Sequence, residues 1–226
     1  MKYENLNGLL HRAEAGDAEA QYQLGSSYYH NKIGETPNID EAKRWLYQAA
    51  KQGHMKAQYM LGVMYSNFVG VKPDLRKACE YFYKSARQGF QNAKDMLEIY
   101  AEQGVAESQC YLGLLYAEGV GVNHDISRAV YLLYKAASQG LKKARDKLRD
   151  LAAQKSAEAQ YHLGILYSEG KGIDCNKVTA YVLLVASAEN GCKEAAEIRD
   201  EIAKDLSQEQ KNRAYERANN LLEVKR

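Results

Sequence analysis

Ser168 and Lys171 stand three residues apart, the spacing at which a lysine activates a serine nucleophile in penicillin-recognising enzymes. In those enzymes the serine begins a helix, and two further motifs, S-D-N and K-T-G, complete the site. The chain contains neither motif, and Ser168 is expected near the end of a helix, before a glycine-containing turn. The spacing alone does not predict a catalytic serine.

Two pairs of glycines, Gly119 with Gly121 and Gly170 with Gly172, raise the question of phosphate binding. The patterns GxxxxGK[ST] and GxGxxG are both absent, so these pairs are expected to be turns between helices. The five histidines lie at unrelated positions without an HExxH motif, and the four cysteines form no CxxC. We therefore predict no metal site, no disulfide framework and no cofactor.

One segment concentrates positive charge on a predicted helix. A solvated helix face is the ordinary interpretation of such a run, and contact with an acidic partner is the alternative. Two aspartates, Asp146 and Asp150, interrupt the run. Its basic residues are Lys142, Lys143, Arg145, Lys147 and Arg149.

The composition indicates an ordered, helix-rich chain. Of its 226 residues, 46% are hydrophobic and 27% are charged, and only two are proline. The 31 basic and 29 acidic residues are intermixed, which argues against nucleic-acid binding. No apolar run is long enough for a signal peptide or a membrane span, so we expect a cytoplasmic protein without membrane insertion.

A repeated pattern organises the sequence. Four segments carry a glutamine, then leucine and glycine three and four residues later, and a tyrosine three residues after the glycine. An alanine follows the glycine by 16 or 17 residues, inside a second stretch with apolar residues at helical spacing. Each unit should therefore be a pair of helices. The glycines are Gly25, Gly62, Gly113 and Gly164.

Local signals bound the second helix of each pair. An Asn or Asp four residues before the alanine is a suitable N-cap, and a glycine suits the other end. Because a glycine inside the first helix lowers helix stability by about 1 kcal/mol, we expect it to permit a close approach to small residues such as Ala49 and Ala50. The caps are Asn38, Asp74, Asp125 and Asn176, and the terminal glycines are Gly53, Gly89, Gly140 and Gly191.

The spacing of the units predicts a third helix in several of them. Gly62, Gly113 and Gly164 are separated by 51 residues each, whereas Gly25 and Gly62 are separated by 37. The additional residues fit helices at about 92–103, 142–154 and 193–205, and a similar element at about 4–15 precedes the first unit. Ser207 and Gln210 form a capping box, which predicts a last helix over 207–223 that caps the array.

These motifs resemble the Sel-1-like repeats, a branch of the tetratricopeptide superfamily. The segment from Ala106 to Gly140 carries the similarity most fully, with Gly119-Val-Gly121-Val122, Asp125 and Lys135-Ala136-Ala137. The resemblance implies an all-α fold, a right-handed α-solenoid of helix pairs with extra third helices and a C-terminal cap, as one domain over 1–226. Its repeat units are 18–53, 55–89, 106–140 and 157–191. The Leu206–Gln210 segment is similar to the end of bacterial members and implies a bacterial source.

The resemblance also implies a function. Members of this family are mostly non-enzymatic adaptors, scaffolds or immunity partners, so we expect a protein or peptide partner and no catalysis. Homo-oligomerisation is compatible with the sequence but not indicated by it. The alternative is a β-lactam-acting or other hydrolase, because cysteine-rich relatives have been linked with β-lactam binding. The paired cysteines of those relatives are missing here.

In the parent superfamily the first helices of successive pairs line a concave face that binds ligands. Tyrosines at outward positions could anchor a peptide there, and the alternative is that Tyr22, Tyr59 and Tyr161 pack between units. The expected partner-binding residues are Glu19, Tyr22, Ser26, Tyr29, Lys56, Tyr59, Val63, Asn67, Glu107, Leu114, Glu118, Glu158, Tyr161, Ile165 and Glu169.

Overall fold

The computed structural model describes residues 6–30, 33, 37–66 and 73–223, with side chains as far as residue 218. Thirteen helices and no strand occur in these ranges, which confirms the all-α repeat fold. The helices are α1 (Leu6–Glu14), α2 (Ala18–Tyr29), α3 (Ile39–Lys51), α4 (Met55–Ser66), α5 (Leu75–Ala86), α6 (Gln91–Glu102), α7 (Ala106–Glu118), α8 (Ile126–Ser138), α9 (Lys142–Ala153), α10 (Ala157–Glu169), α11 (Lys177–Glu189), α12 (Glu194–Ala203) and α13 (Gln208–Glu223).

The chain forms two compact units. The first comprises residues 1–100 and 120–122, and the second comprises residues 101–119 and 123–226. In the first unit, each helix from α1 to α4 packs against the next helix in the chain. In the second unit, α7 to α11 do the same, α8 also contacts α10, and α11 packs against both α12 and α13. Most packing is therefore between helices that are neighbours in sequence.

The predicted caps bound the second helices α3, α5, α8 and α11. Asn38 Oδ1 accepts a hydrogen bond from the Glu41 amide at 3.1 Å, and Asp125 Oδ1 accepts one from the Arg128 amide at 2.9 Å. Asp74 and Asn176 make the same bond. After these helices the chain turns at glycines with φ between 86° and 102°, a left-handed conformation that favours glycine: Gly53, Gly89, Gly140 and Gly191.

The glycine within each first helix lies against a large side chain. A Cβ atom on Gly25 would stand 2.8 Å from Leu46 Cγ, 3.0 Å from the Leu46 nitrogen and 3.1 Å from the Ala42 carbonyl oxygen. The expected contact with Ala49 and Ala50 is wrong, because Leu46 fills the notch that the missing side chain leaves. The equivalent pairs are Gly62 with Phe82, Gly113 with Leu133, and Gly164 with Leu184.

The third helices and the cap helix are confirmed. Helices α6, α9 and α12 follow the second helices, and α1 precedes the first pair. The Ser207 amide donates to Gln210 Oε1 at 2.8 Å and Ser207 Oγ accepts from the Gln210 amide at 3.2 Å, as a capping box requires. Ala214 and Ala218 of α13 are fully buried, whereas the side chains of Leu221 and Leu222 lie outside the described residues.

The second glycine of a glycine pair allows a close backbone approach. Gly172 has φ of 68°, and a Cβ there would stand 2.0 Å from the Ala137 carbonyl oxygen. The glycine pairs are thus turns, as expected, and they pack against the end of the preceding second helix. Among the described residues, no helix is long and apolar enough to cross a membrane.

Candidate functional site

Each unit has its own candidate surface on its first helices: the outer faces of α2 and α4 in the first unit, and those of α7 and α10 in the second. One side of each first helix packs against its own second helix at the glycine contact. A second side is committed to the preceding helix by a buried glutamine. What remains is the surface on which the predicted partner-binding residues lie.

The repeat glutamine forms what we call the glutamine clamp. Gln109 is 1% exposed, and its Nε2 donates to the Ala101 carbonyl oxygen, eight residues earlier, at 3.0 Å. Its Oε1 accepts from Gln139 Nε2 at 2.9 Å, so one side chain joins three helices. The repeat pattern includes this glutamine, but the pattern alone does not indicate its role. The equivalent clamps are Gln21 with Ala13 and Gln52, Gln58 with Ala50 and Gln88, and Gln160 with Ala152 and Asn190.

Tyr22 packs against the beginning of the next repeat. Its ring stacks on the imidazole of His54 with centroids 4.6 Å apart and an interplanar angle of 20°. His54 Nδ1 accepts from the Ala57 amide at 3.2 Å, so Nε2 carries the proton and faces Glu19 Oε2 at 3.0 Å. This hydrogen bond holds the pKa of Glu19 below 4.5. Glu19 and Tyr22 therefore take part in the junction between α2 and α4.

Tyr59 makes the equivalent contact, whereas Tyr161 contacts the ring of the next residue in its own helix. The Tyr59 ring lies 5.1 Å from Phe90, which follows Gly89 as His54 follows Gly53. The Tyr161 ring lies 5.1 Å from His162, and burial raises the pKa of Tyr161. All three tyrosines are half-buried, so each contributes packing and still presents part of its ring to solvent.

The remaining predicted residues differ in exposure. Glu118 of α7 is exposed, and so are Glu19, Lys56, Glu158 and Glu169. Half-buried positions are Ser26, Tyr29, Val63, Glu107 and Ile165. Leu114 departs from the expected outward position, because it is only 6% exposed. Asn67 lies outside the described residues.

Leu114 is the floor of an open groove of about 590 Å³ in the second unit, which we call the lysine groove. Its other lining residues come from α9, so the predicted basic segment lies directly beside a predicted partner-binding residue. Lys143 Nζ stands 4.4 Å from the centre of the Tyr111 ring on α7. The lining residues on α9 are Lys142, Lys143, Asp146, Lys147 and Asp150.

The two arginines of the same segment point elsewhere. Arg145 Nη1 donates to the Gly172 carbonyl oxygen at 2.6 Å, and Arg149 Nη2 donates to the Tyr167 hydroxyl at 2.8 Å. Both line a second depression of about 510 Å³ beside the turn at Gly170 and Asp174. The basic run is therefore divided: its arginines hold the α10–α11 turn, and its lysines line the groove.

Ser168 and Lys171 are each engaged with other groups. The Ser168 hydroxyl donates to the Ile165 carbonyl oxygen at 2.9 Å, a bond typical of serine in the last turn of a helix. Lys171 Nζ lies 2.9 Å from Glu169 Oε2. The structure does not show the serine–lysine hydrogen bond that would activate a nucleophile.

Other reactive side chains are buried or isolated. Burial raises the pKa of the Cys110 thiol to about 12, which suppresses its thiolate form. His162 lies 4.5 Å from the Tyr134 ring, and its Nδ1 is buried with no hydrogen-bond partner among the described residues. Burial lowers the pKa of His162. In the part of the chain that the structure describes, no group of three or more His, Cys, Asp or Glu side chains could hold a metal ion.

Comparisons with solved structures return bacterial repeat proteins. A protective antigen of uropathogenic Escherichia coli with an SLR fold is 26% identical over 95% of this chain and 47% of that chain, with a TM-score of 0.39. A Sel1 repeat protein from Oxalobacter formigenes is 26% identical over 86% of this chain and 58% of its own, with a TM-score of 0.35. A sel1 repeat protein from Klebsiella pneumoniae subsp. pneumoniae is 21% identical over 87% and 98%, with a TM-score of 0.31.

The chain thus spans 47% and 58% of the lengths of the first two of these proteins. A comparison with curated proteins gave no match. The family model of the Sel1 repeat matches at residues 18–54, 56–90, 106–141 and 157–192, which together are more than half of the sequence. The chain therefore belongs to the Sel1 repeat family.

Proposed function

We propose that this chain is a non-catalytic module that binds a protein or peptide partner on the surface of its first helices. Sel1 repeat proteins are generally protein-interaction modules. The proposal is supported by the separation of two sets of residues on these helices, one that packs and one that faces solvent. The glycine contact and the glutamine clamp hold each helix in place, and a different set of residues is left facing solvent.

The solvent-facing set has the chemistry of a contact surface. Half-buried aromatic and aliphatic side chains such as Tyr59, Tyr161 and Ile165 alternate with exposed charged ones such as Lys56 and Glu158. Rings that are already held by packing lose little side-chain entropy when they contact a partner. Polar residues around them supply orientation and specificity. Such a surface suits a partner with apolar anchors.

Site-specific photo-crosslinking tests the location of the contact. A benzoylphenylalanine residue is introduced singly at Lys56, Glu118 and Glu158, all exposed on first helices, in the chain expressed in its natural host. We expect one protein species to crosslink at these positions. Matched controls carry the same residue at Tyr47 and Tyr131, which are 51% and 50% exposed on second helices, and should give no such adduct.

Two results would contradict the proposal. Adducts formed only from Tyr47 and Tyr131 would move the contact to the second helices. The absence of a distinct adduct at every position, under conditions in which a known interacting pair crosslinks, would indicate that the chain holds no partner on either surface.

A further inference from the structure

The lysine groove has a chemical character that narrows the class of partner. Its floor is the apolar side chain of Leu114, and its rim carries the α9 residues Lys142, Lys143 and Lys147. We propose that this groove binds an acidic segment of the partner protein, with one apolar side chain of that segment seated on Leu114. This inference rests on the proposed function and specifies where and by which chemistry it acts.

The charges on the rim favour an acidic ligand. Asp146 pairs with Arg149 on the same helix, with Oδ1 and Nη1 3.1 Å apart and both side chains partly exposed. Among the described residues, the structure shows no ion pair for Lys142, Lys147 or Asp150. The rim therefore carries three lysines, Lys142, Lys143 and Lys147, and two aspartates, of which Asp146 pairs with Arg149. Glu107 and Glu118 lie near the two ends of α7 and are not among the lining residues.

Packing against an aromatic ring holds one of the lysines in place. Lys143 Nζ lies over the Tyr111 ring at 4.4 Å, which fixes the charge beside the face of α7 that carries Leu114. The methylene groups of lysine can cover apolar surface while the ammonium group stays in water. An apolar side chain can thus reach Leu114 between lysine stems, and carboxylates on either side of it meet the ammonium groups.

The fold itself does not require Lys143 and Lys147, although Lys142 has a counterpart in Lys193 of the following repeat. The helices α6 and α12 occupy the equivalent place 51 residues before and after α9. At the positions of Lys143 and Lys147, α6 carries Asn92 and Met96, and α12 carries Glu194 and Ile198. The lysine pair is therefore a property of α9 alone, which points to a ligand rather than to a structural need.

The groove also limits the size of the bound segment. From Lys142 to Asp150 the helix rises by about 12 Å, at about 1.5 Å per residue. That length accommodates about four residues of an extended chain or two turns of a helix. The recognised element is thus a short linear segment with acidic residues on both sides of an apolar one.

The test uses peptides selected from a random library. The full chain is immobilised at low ionic strength and screened against a phage-displayed library of 12-residue random peptides. Enriched peptides are synthesised with a fluorophore, and their affinity is measured by anisotropy. We expect enriched sequences with aspartate or glutamate around an apolar residue. Their affinity should fall as the salt concentration rises. In nuclear magnetic resonance spectra, the bound peptide should shift the methyl signals of Leu114.

Two matched variants locate the charge effect. Replacement of Lys142, Lys143 and Lys147 by glutamate should weaken binding about tenfold or more, as expected for three exposed ion pairs. The control replaces three exposed lysines outside the groove by glutamate, so both variants have the same net charge. Thermal unfolding confirms that both remain folded. The control lysines are Lys51, Lys193 and Lys204.

The outcomes separate the two proposals. Enriched peptides that lack acidic residues, equal loss of affinity in both variants, or an unperturbed Leu114 would overturn the acidic-segment inference and leave the interaction function standing. Failure to enrich any peptide above a blank surface would overturn the inference and would also remove support for a peptide-binding function.

Discussion

A missing methyl group sets how closely each first helix approaches its second helix. Glycine in a helix interior is about 1 kcal/mol less favourable than alanine, yet the repeat keeps it at four equivalent positions. At Gly25 the space that a Cβ would need is taken by the Leu46 side chain and by backbone atoms of α3. The packing of a large residue into this notch compensates for the lower helix propensity.

Replacing Gly25 by alanine should therefore destabilise the protein. The new methyl group would stand 2.8 Å from Leu46 Cγ and 3.0 Å from the Leu46 nitrogen, so the helices must separate. We expect a net loss of about 1 kcal/mol or more in the free energy of unfolding, measured by urea denaturation. Gly8→Ala in α1 is the control: nothing lies within 4 Å of its Cβ, and it should gain up to about 1 kcal/mol.

The buried His162 should make stability depend on pH. Burial lowers its pKa in the folded state below the ordinary histidine value of 6.5, so the unfolded chain binds a proton first as the pH falls. The corresponding stability is complete above about pH 6.5 and is lost as the pH decreases toward the folded-state pKa. We expect the melting temperature of the protein to fall over this interval.

The variant His162→Met tests the assignment, because the equivalent position of the second repeat is Met60. Its melting temperature should vary less between pH 7 and pH 5, a range that brackets the ordinary histidine pKa of about 6.5. His11→Gln, at an exposed site on α1, should leave the original dependence in place. An unchanged pH dependence in His162→Met would assign the effect to other groups.

At the scale of the element, the glutamine clamp fixes each first helix against the helix before it. The clamp uses a carbonyl group in the last turn of that preceding helix and an amide at the end of the following second helix. Gln160 is 2% exposed, so its hydrogen bonds are made away from water, and an apolar residue at this position would not replace them. The clamp is thus a polar contact that forms only when the first helix is in the correct register with the helices on either side of it.

Gln160→Met should lower the free energy of unfolding by about 1–3 kcal/mol, since it keeps the volume but removes partners from the Ala152 carbonyl and the Asn190 amide. Urea denaturation measures the loss. Gln48→Met, at an exposed position of α3, is the matched control and should change stability by less than about 0.5 kcal/mol. Equal effects at the two sites would show that the clamp adds nothing to stability.

The elements themselves were largely predictable, because their signals are local. A cap such as Asp125 or a terminal glycine such as Gly140 acts within one turn of its own position, so its residue type suffices. The third helices followed from the 51-residue period. By contrast, the partner of Gly25 depends on how two helices cross, and the sequence pattern does not give the crossing.

The candidate site was less predictable, because its contacts also depend on how the helices pack against one another. Its residues could be placed on the outer face of the first helices from helical spacing, but their neighbours come from other elements. The ring that stacks on Tyr22 belongs to His54, and the lysines beside Leu114 belong to α9. These contacts connect residues about 30 positions apart, and no local pattern encodes them.

At the scale of the whole molecule, most contacts join helices that are close in sequence, as in other repeat proteins. Stability in such an array is a sum of repeat and neighbour terms, so repeats can be removed when their boundaries match. The period of 51 residues defines matched boundaries here. If residues 106–156 are deleted, Gln160 stands eight residues after Ala101, as Gln109 does in the intact chain.

We therefore expect the chain without residues 106–156 to fold, with helical circular dichroism per residue close to that of the intact protein and a cooperative thermal transition. The comparison removes only residues 106–141, which leaves α9 without α8 and the Ala101 carbonyl without its glutamine. That chain should melt at a lower temperature. If the two deletions behave alike, the clamp register does not determine which boundaries are compatible.

The glutamine clamp also has a consequence for how such a gene can change. The repeat glutamine bonds to the end of the preceding helix and to the end of the second helix of its own pair. An in-frame gain or loss of one whole period therefore leaves a glutamine with the same two partners at the new junction. Recombination between copies is then tolerated wherever the glutamine and its two partners recur. Lineages can lengthen or shorten the array by unequal exchange while the contact residues of each copy diverge independently.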